Sequence, residues 1–214
     1  PREVITFSAG LELLHAFMLV HDDIADRSMT RRGGPSLHRM LETQSGDGGR
    51  HLNASIAMNA GDHLFARAVE VMLQTPSQKA AETTRYMMQV CRHTAVGQHL
   101  DLSLATAPLG DVTLFQILKV ASLKTARYGF VAPLVCGAKL GNGTAELIEL
   151  IGRVGKYTGI AFQLVDDLFG LFGTDSLIGK PGDGDYFEGK RSFPLIAAWT
   201  RADEASRREL ERLW

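Results

Sequence analysis

The stretch LVHDDIADRSMTRRGGPSLH, residues 19–38, closes an apolar run with three aspartates and follows them with two arginines. The acids are Asp22, Asp23 and Asp26, and the arginines are Arg31 and Arg32. On a helix these acids crowd at one end, where they repel unless a cation lies among them. Mg²⁺ prefers carboxylate oxygens and substrate phosphates, and guanidinium groups suit phosphate. The stretch therefore indicates a metal- and phosphate-binding helix end.

A second apolar helical run, residues 159–170, ends in Asp166 and Asp167. If the two helices pack side by side, five carboxylates face one cavity, and divalent cations would relieve that charge density. The alternative for each cluster is a solvated helix end with a charged cap. Both runs are largely apolar, however, and unpaired carboxylates are expensive where a helix is buried. The recurrence therefore favours one shared metal site.

Composition excludes several classes of protein. The chain has 214 residues, a length for which a single domain is expected. Its formal net charge is -1, so a nucleic-acid interface is not expected. Its two cysteines are too few for a disulfide framework. No run of 18 apolar residues is found, which favours a cytoplasmic protein without stable membrane insertion. The first residue is Pro1 rather than methionine, and we expect an upstream segment to precede it.

Apolar residues recur at helical spacing along most of the chain, and no stretch alternates strictly as a half-buried strand would. The pattern predicts an all-α protein, with helices over residues 3–28, 51–74, 77–104, 111–140, 144–172 and 192–213. Two Gly-rich segments, 31–50 and 173–191, directly follow the acid clusters and read as loops. Loops beside a site often carry its binding groups.

Basic residues that could balance the acids lie in two places. Lys180 and Lys190 belong to the second Gly-rich segment, which could fold over a polyanion. Lys124 lies beside Thr125 inside an apolar helical run, where the alternative is a lysine that snorkels to the helix surface. Together with the two arginines, these lysines would complete a diphosphate clamp.

The chain resembles the trans-isoprenyl diphosphate synthases, the polyprenyl synthetase family that includes farnesyl and geranylgeranyl diphosphate synthases. The resemblance covers nearly the whole chain and rests on the segments LLHAFMLVHDDIADRSMTRRGGPSLHR, NAGDHLFARA, VGQHLDL, KTARYGF, GIAFQLVDDLFGLFG and GKPGDGDYFEGKRSFPL. It implies one isoprenoid synthase domain over residues 1–214, a bundle of antiparallel helices around a deep central cavity. It also implies Mg²⁺ as cofactor, isopentenyl and allylic diphosphates as substrates, and a homodimer.

The resemblance also assigns roles to individual residues. The metal ligands it implies are Asp22, Asp23, Asp26, Asp166 and Asp167. The contacts it implies to the allylic diphosphate are Arg31, Lys124, Gln163, Lys180 and Lys190, with Thr125 beside the developing cation. Arg32 would contact isopentenyl diphosphate. These groups suit ionisation of an allylic carbon–oxygen bond, because charge then builds on the leaving diphosphate and must be stabilised by groups held in place beforehand.

Product length is expected to depend on what blocks the cavity below the metals. Met18 lies one helical turn, about 6 Å, before Asp22 on the same face, and Phe17 lies beside it. In the family, an aromatic residue five positions before the first acid motif resembles a geranylgeranyl-type floor. We therefore expect a geranylgeranyl product, with farnesyl diphosphate as the alternative.

Some features depart from the family pattern. Gly170 stands where the second acid motif usually ends in a third aspartate. The upstream Gly-Gly-Lys, Arg and His by which the family helps hold isopentenyl diphosphate are expected to precede Pro1, and the C-terminal helices are expected to be short. Two alternative functions remain: a class I terpene cyclase, whose Asn/Ser/Glu metal triad is not visible, and a catalytically silent partner subunit of an active synthase.

Overall fold

The computed structural model describes residues 2–45, 49–173 and 189–214, and almost all of them are helical. The helices are α1 (Arg2–Ala25), α2 (Leu37–Ser45), α3 (Arg50–Leu73), α4 (Ala80–Ala105), a 3₁₀ turn (Leu109–Asp111), α5 (Leu114–Val120), a π-helix (Ala121–Val131), α6 (Ala132–Leu140), α7 (Ala145–Phe172), α8 (Phe193–Arg201) and α9 (Glu204–Leu213). A small antiparallel hairpin, β1 (Thr30–Arg31) and β2 (Gly34–Pro35), follows α1. The all-α prediction is confirmed.

The chain divides into two compact units, Pro1–Arg85 and Tyr86–Trp214. In the first unit, α1 packs along α3 around the buried Phe7 and Leu14. The approach is close enough that a Cβ atom on Gly10 would lie 2.5 Å from Met72 Cγ. The close pairing fixes the end of α1, where the first acids lie.

Residues 31–45 are more regular than the loop that the sequence predicts over residues 31–50. They contain the end of the hairpin and the nine-residue helix α2, which packs on α3. The polar, Gly-rich composition of the segment conceals this helix, because its apolar positions are few. The loop prediction is wrong for residues 37–45.

In the second unit, one predicted helix over residues 111–140 is in fact three joined segments. A capping box at Thr113 begins α5: its hydroxyl accepts from Gln116 N, and its own N–H donates to the Gln116 side chain. The chain then widens into the π-helix before narrowing again into α6. The amide of Ala132, for example, donates to the carbonyl of Arg127, five residues back. Such wide turns occur often at functional sites.

Two glycines let neighbouring helices contact the backbone of the π-helix. A Cβ atom on Gly97 of α4 would lie 2.6 Å from the backbone nitrogen of Lys124. One on Gly159 of α7 would lie 2.5 Å from Ala126 Cα. Real Cβ atoms essentially never show contacts this short, so larger residues at either position would push the helices apart. The π-helix is therefore held on two sides with its position set by backbone contact.

The C-terminal part of the second unit packs on an apolar cluster. Its buried members are Leu104, Leu109, Val112, Ile117, Val120, Leu195 and Ile196. The predicted helix 192–213 is interrupted at Ala202, where Asp203 caps α9 by accepting a hydrogen bond from Ser206 N. This packing fixes the start of α8, which follows Lys190 and Arg191.

The N-terminal helix α1 is the one helix among the described residues long and apolar enough to cross a membrane. This criterion rests on length and composition alone, and the core helix of a soluble protein or a signal sequence meets it equally well. The same helix ends in the acids of the first cluster.

Candidate active site

In the first acid cluster, the three carboxylates differ in their surroundings. Asp23 is buried, with its side chain 6% exposed, and it accepts hydrogen bonds from Arg31 Nε at 2.9 Å and from Arg31 Nη2. Asp22 is more open, at 27%, and lies 3.7 Å from the same guanidinium. Asp26 is partly exposed one turn further on. Asp22 and Asp26 therefore form the accessible part of the cluster, and Asp23 anchors an arginine.

The charge on Arg31 is supported by these acids. Burial works against the guanidinium charge, but the hydrogen bond and charge of Asp23, together with the charges of Asp22 and Asp26, outweigh it and raise the pKa of Arg31. The cation is thus held in place before any ligand arrives.

The hairpin that carries the arginines has a strained backbone. Arg27 and Arg32 have φ of 55° and 52°, in the left-handed region that side chains with a Cβ disfavour, and Gly33 follows at 79°. Each such non-glycine residue costs about 1–3 kcal/mol and persists only where surrounding contacts impose it. The surrounding fold therefore imposes the path of the chain here and, with it, the positions of Arg31 and Arg32.

His15 is a site residue that the sequence analysis missed. Its Nε2 lies 3.4 Å from Arg32 Nη2. Burial above all, and then the charges of Arg32 and Arg31, lower the pKa of His15 against the opposing effect of Glu12. A neutral imidazole is therefore favoured beside Arg32. The available signal is its position on α1, about two helical turns before Asp22, but a lone histidine on an apolar helix gives no sign of its partner.

An aromatic group lies one turn below the first acids. The rings of Phe17 and His21 are 4.6 Å apart, and those of Phe17 and Phe65 are 5.1 Å apart. His21 Nε2 donates to the carbonyl of Met58 at 3.2 Å and lies over Gly61, where a Cβ atom would be 2.5 Å from its ring. The ring of Phe17 is thereby held by His21 of its own helix and by Phe65 of α3. Met18, the other predicted floor residue, is half-buried beside it.

In the second acid cluster, Asp167 is the buried member, with its side chain 3% exposed. Its Oδ1 accepts from Lys190 Nζ at 3.0 Å and from Gln163 Nε2 at 2.9 Å, and its Oδ2 accepts from Phe193 N at 3.0 Å. Asp166 is partly exposed. One carboxylate therefore fixes Lys190 and the start of α8 to the end of α7.

Two further contacts extend this cluster to the π-helix. Thr125 donates a short hydrogen bond to Gln163 Oε1, which links it through Gln163 to Asp167. Lys124, the adjacent residue, donates to Asp101 of α4 at 2.8 Å. Asp101 lies in the VGQHLDL segment but was not singled out from the sequence. The structure thus connects Thr125, Gln163, Asp167 and Lys190.

Other predicted residues are not part of these contacts. Lys180 lies outside the described residues. Gly170, in place of a third aspartate, is a buried residue of α7. The two acid clusters belong to different units, so the expectation that they share one cavity stays a prediction.

The donor chemistry of the acids suits a hard divalent cation. Among the residues that the structure describes, no three acidic, histidine or cysteine side chains converge as a complete metal-binding group. Mg²⁺ does not require one, because it commonly keeps several waters and binds through one or two carboxylates plus substrate phosphates. The partly exposed Asp22, Asp26 and Asp166 fit that requirement.

The sequence of the whole chain, residues 1–214, matches the family model of the polyprenyl synthetases. The chain belongs to the polyprenyl synthetase family. The resemblance noted from the sequence is thereby confirmed.

Curated relatives of this polyprenyl synthetase chain are named as prenyl diphosphate synthases. A short chain isoprenyl diphosphate synthase of Methanothermobacter thermautotrophicus is 30% identical over 98% of this chain and 61% of its own length. A (2E,6E)-farnesyl diphosphate synthase of Mycobacterium bovis is 33% identical over 96% of this chain and 53% of its own length. The chain thus spans a little over half the length of these curated relatives.

A solved structure shows the same architecture. It is a geranylgeranyl pyrophosphate synthase from Corynebacterium glutamicum, complexed with isoprenyl diphosphate and magnesium. The two chains are 35% identical with a TM-score of 0.90, over 99% of this chain and 61% of the other. The helical arrangement is therefore that of an isoprenoid synthase.

Proposed function

We propose that this chain supplies the active site of a short-chain trans-prenyltransferase, which condenses isopentenyl diphosphate with an allylic diphosphate. The observation that carries the proposal is shared by the two Asp-Asp pairs. In each pair the second acid is buried and holds a cation, Arg31 on Asp23 and Lys190 on Asp167. The first acid of each pair is partly exposed. Preorganised cations beside accessible carboxylates suit a diphosphate leaving group.

This arrangement divides the work among the five acids. We assign metal contact to the partly exposed Asp22, Asp26 and Asp166, and positioning of the cations to Asp23 and Asp167. The broader prediction that all five acids ligate metal remains, but Asp167 already accepts three hydrogen bonds and Asp23 is paired with Arg31. Bound Mg²⁺ would neutralise charge on the leaving diphosphate.

The protein's own groups would then stabilise the ionised state. Arg31, Lys124 and Lys190 are each held by a carboxylate, so little reorganisation is needed as negative charge develops on the leaving group. The hydroxyl of Thr125 is oriented by Gln163, and its lone pairs are available to the adjacent cationic carbon. Arg32, with neutral His15 beside it, would bind the diphosphate of the isopentenyl substrate. Lys180 is assigned to the allylic diphosphate by resemblance alone.

For product length, we propose that Phe17 and Met18 block the growing chain at about the geranylgeranyl length, with farnesyl diphosphate as the alternative. Phe17 is fixed by ring contacts to His21 and Phe65. A side chain held on two sides blocks a chain more effectively than one that can rotate away. Phe65 therefore supports the floor from α3.

The proposal also includes a cofactor, a cellular location and an oligomeric state. We propose Mg²⁺ as the divalent cation, a cytoplasmic location, and a homodimer, all on the family resemblance. Light scattering of the full-length protein would measure the number of subunits, and fractionation of the cells that make it would measure the location.

The test is incubation of the full-length protein with Mg²⁺, isopentenyl diphosphate and each of dimethylallyl, geranyl and farnesyl diphosphates. Linear farnesyl or geranylgeranyl diphosphate is the expected product. Cyclic hydrocarbons would identify a terpene cyclase instead, and no turnover with any starter would favour the silent subunit. A matched control is Asp22→Asn, which keeps the shape of the side chain and should abolish turnover.

A further inference from the structure

We propose that Ser36 and His38 form a buried latch that positions Arg31 and Arg32 on the hairpin after α1. Neither residue is expected to touch substrate, so both are positioning residues. The kinetic part of this inference rests on the proposed function. Its structural part concerns the hairpin alone and can be tested separately.

The latch closes the hairpin onto the end of α1. The amide of Ser28 donates to the carbonyl of Asp23 at 2.9 Å, which ties the start of the loop to the helix. Ser36 then binds the loop from its other end: its hydroxyl donates to the carbonyl of Ser28 at 2.7 Å, and its amide donates to the carbonyl of Met29 at 3.1 Å. Ser36 thus closes the base of the loop from Met29 to Ser36, which contains both arginines and is also tied to α1 by the bond from Arg31 to Asp23.

Hydrogen-bond counting assigns a role to His38. The single hydroxyl proton of Ser36 is used on Ser28, so Ser36 Oγ can only accept from its second neighbour, His38 Nδ1, at 3.3 Å. His38 must therefore carry its proton on Nδ1. Burial lowers the pKa of His38, which agrees with a neutral ring that has one N–H to donate.

Burial separates the latch from the loop that it holds. Ser36 is 1% exposed and His38 is 8% exposed, whereas Arg32 and Gly33 are exposed. The hairpin itself has only two residue pairs, Thr30 with Pro35 and Arg31 with Gly34. Two pairs are too few to impose the left-handed backbone at Arg32 without help from a fixed base. The buried latch supplies that base.

The experiment compares four variants of the full-length protein. Ser36→Ala removes the latch, and His38→Leu removes its donor while keeping an apolar side chain. His38→Asn restores an N–H close to the position of Nδ1. Ser55→Ala is the control, because the hydroxyl of the partly exposed Ser55 donates within its own helix, to the carbonyl of His51.

Limited trypsin digestion with mass mapping reports the loop directly. Ser36→Ala and His38→Leu should speed cleavage after Arg27, Arg31 and Arg32 by about tenfold, as expected for loss of one buried hydrogen bond. His38→Asn and Ser55→Ala should cleave like the wild type. Equal acceleration after Lys79, far along the chain, would show general unfolding and would overturn the latch, as would unchanged cleavage in the first two variants.

Kinetics report the consequence for the substrate. Ser36→Ala and His38→Leu should raise KM for isopentenyl diphosphate by about tenfold while kcat falls less, because Arg32 contacts this substrate already in the ground state, whereas Arg31 is still held by Asp23. His38→Asn should restore KM. An unchanged KM in both disrupted variants contradicts the positioning role. If the wild type fails to turn over any diphosphate but the cleavage pattern follows expectation, the proposed function fails and the latch stands.

Discussion

Replacement of Gly159 by alanine should separate α7 from the π-helix and weaken the second unit. The new Cβ atom would lie 2.5 Å from Ala126 Cα and 2.7 Å from Ala126 Cβ, against ordinary contacts of 3.4–4 Å. The helices must therefore move apart by about 1 Å, because the obstacle is backbone. Overpacking of this kind costs about 1–3 kcal/mol, and the better helix propensity of alanine returns up to about 1 kcal/mol. We expect a net loss of about 1 kcal/mol.

The assay is thermal unfolding of the full-length protein, followed by circular dichroism. A loss of this size should lower the melting temperature by roughly 2–4 °C for a chain of this length. Gly137→Ala is the matched control, because Gly137 lies in α6 and a Cβ atom there meets nothing within 4 Å. It should raise stability by about 0.5–1 kcal/mol. If Gly159→Ala were as stable as Gly137→Ala, the close backbone contact would not exist and the reasoning would be wrong.

Three further outcomes are expected. Asp166→Asn should raise the Mg²⁺ concentration needed for half-maximal activity by about tenfold or more, with little change in melting temperature. Asp167→Asn should instead lower the melting temperature, because a buried acceptor is lost. Equal behaviour of the two variants would contradict their separate roles. Phe17→Ala should lengthen the product in chromatography, while the exposed Phe115→Ala should not, and an unchanged product would remove Phe17 from the floor. Burial lowers the pKa of His38, so the unfolded chain binds a proton more readily than the folded chain. The free energy of unfolding should therefore fall as pH drops below 6.5. Urea titrations should show a smaller fall for the His38→Asn variant than for the wild type.

The sequence predicts the long elements well because their signal is local. The apolar runs that end in acids are helices α1 and α7, as their spacing indicates, and both end beside the acids. Helix α2 was missed because it is short and polar, and helices of that kind depend on packing against a neighbour more than on their own pattern.

The candidate site was predictable in composition but not in pairing. Motif spacing identifies Asp22, Asp23, Asp166 and Asp167, yet it treats each pair as two equivalent acids. Which acid is buried depends on where Arg31 and Lys190 lie after folding, and these cations come from loops whose path the spacing does not define. Only tertiary structure separates an accessible carboxylate from an anchoring one.

The π-helix was likewise beyond the reach of sequence pattern. Its residues have ordinary helical spacing of apolar positions, and the wider turn lies where α4 and α7 contact its backbone at Gly97 and Gly159. A pattern that measures only which residues are apolar contains no information about such contact.

The wide turn at Ala121–Val131 also bears on how this segment can change in evolution. Adjacent residues there serve opposite neighbours, Lys124 toward Asp101 and Thr125 toward Gln163. A π-turn contains one residue more than an α-turn, so deletion of a single residue would rewind the segment and rotate one of the two side chains away from its neighbour. Substitutions on its exposed side, as at Gly129, leave that geometry alone. The segment should therefore tolerate variation in identity far better than variation in length.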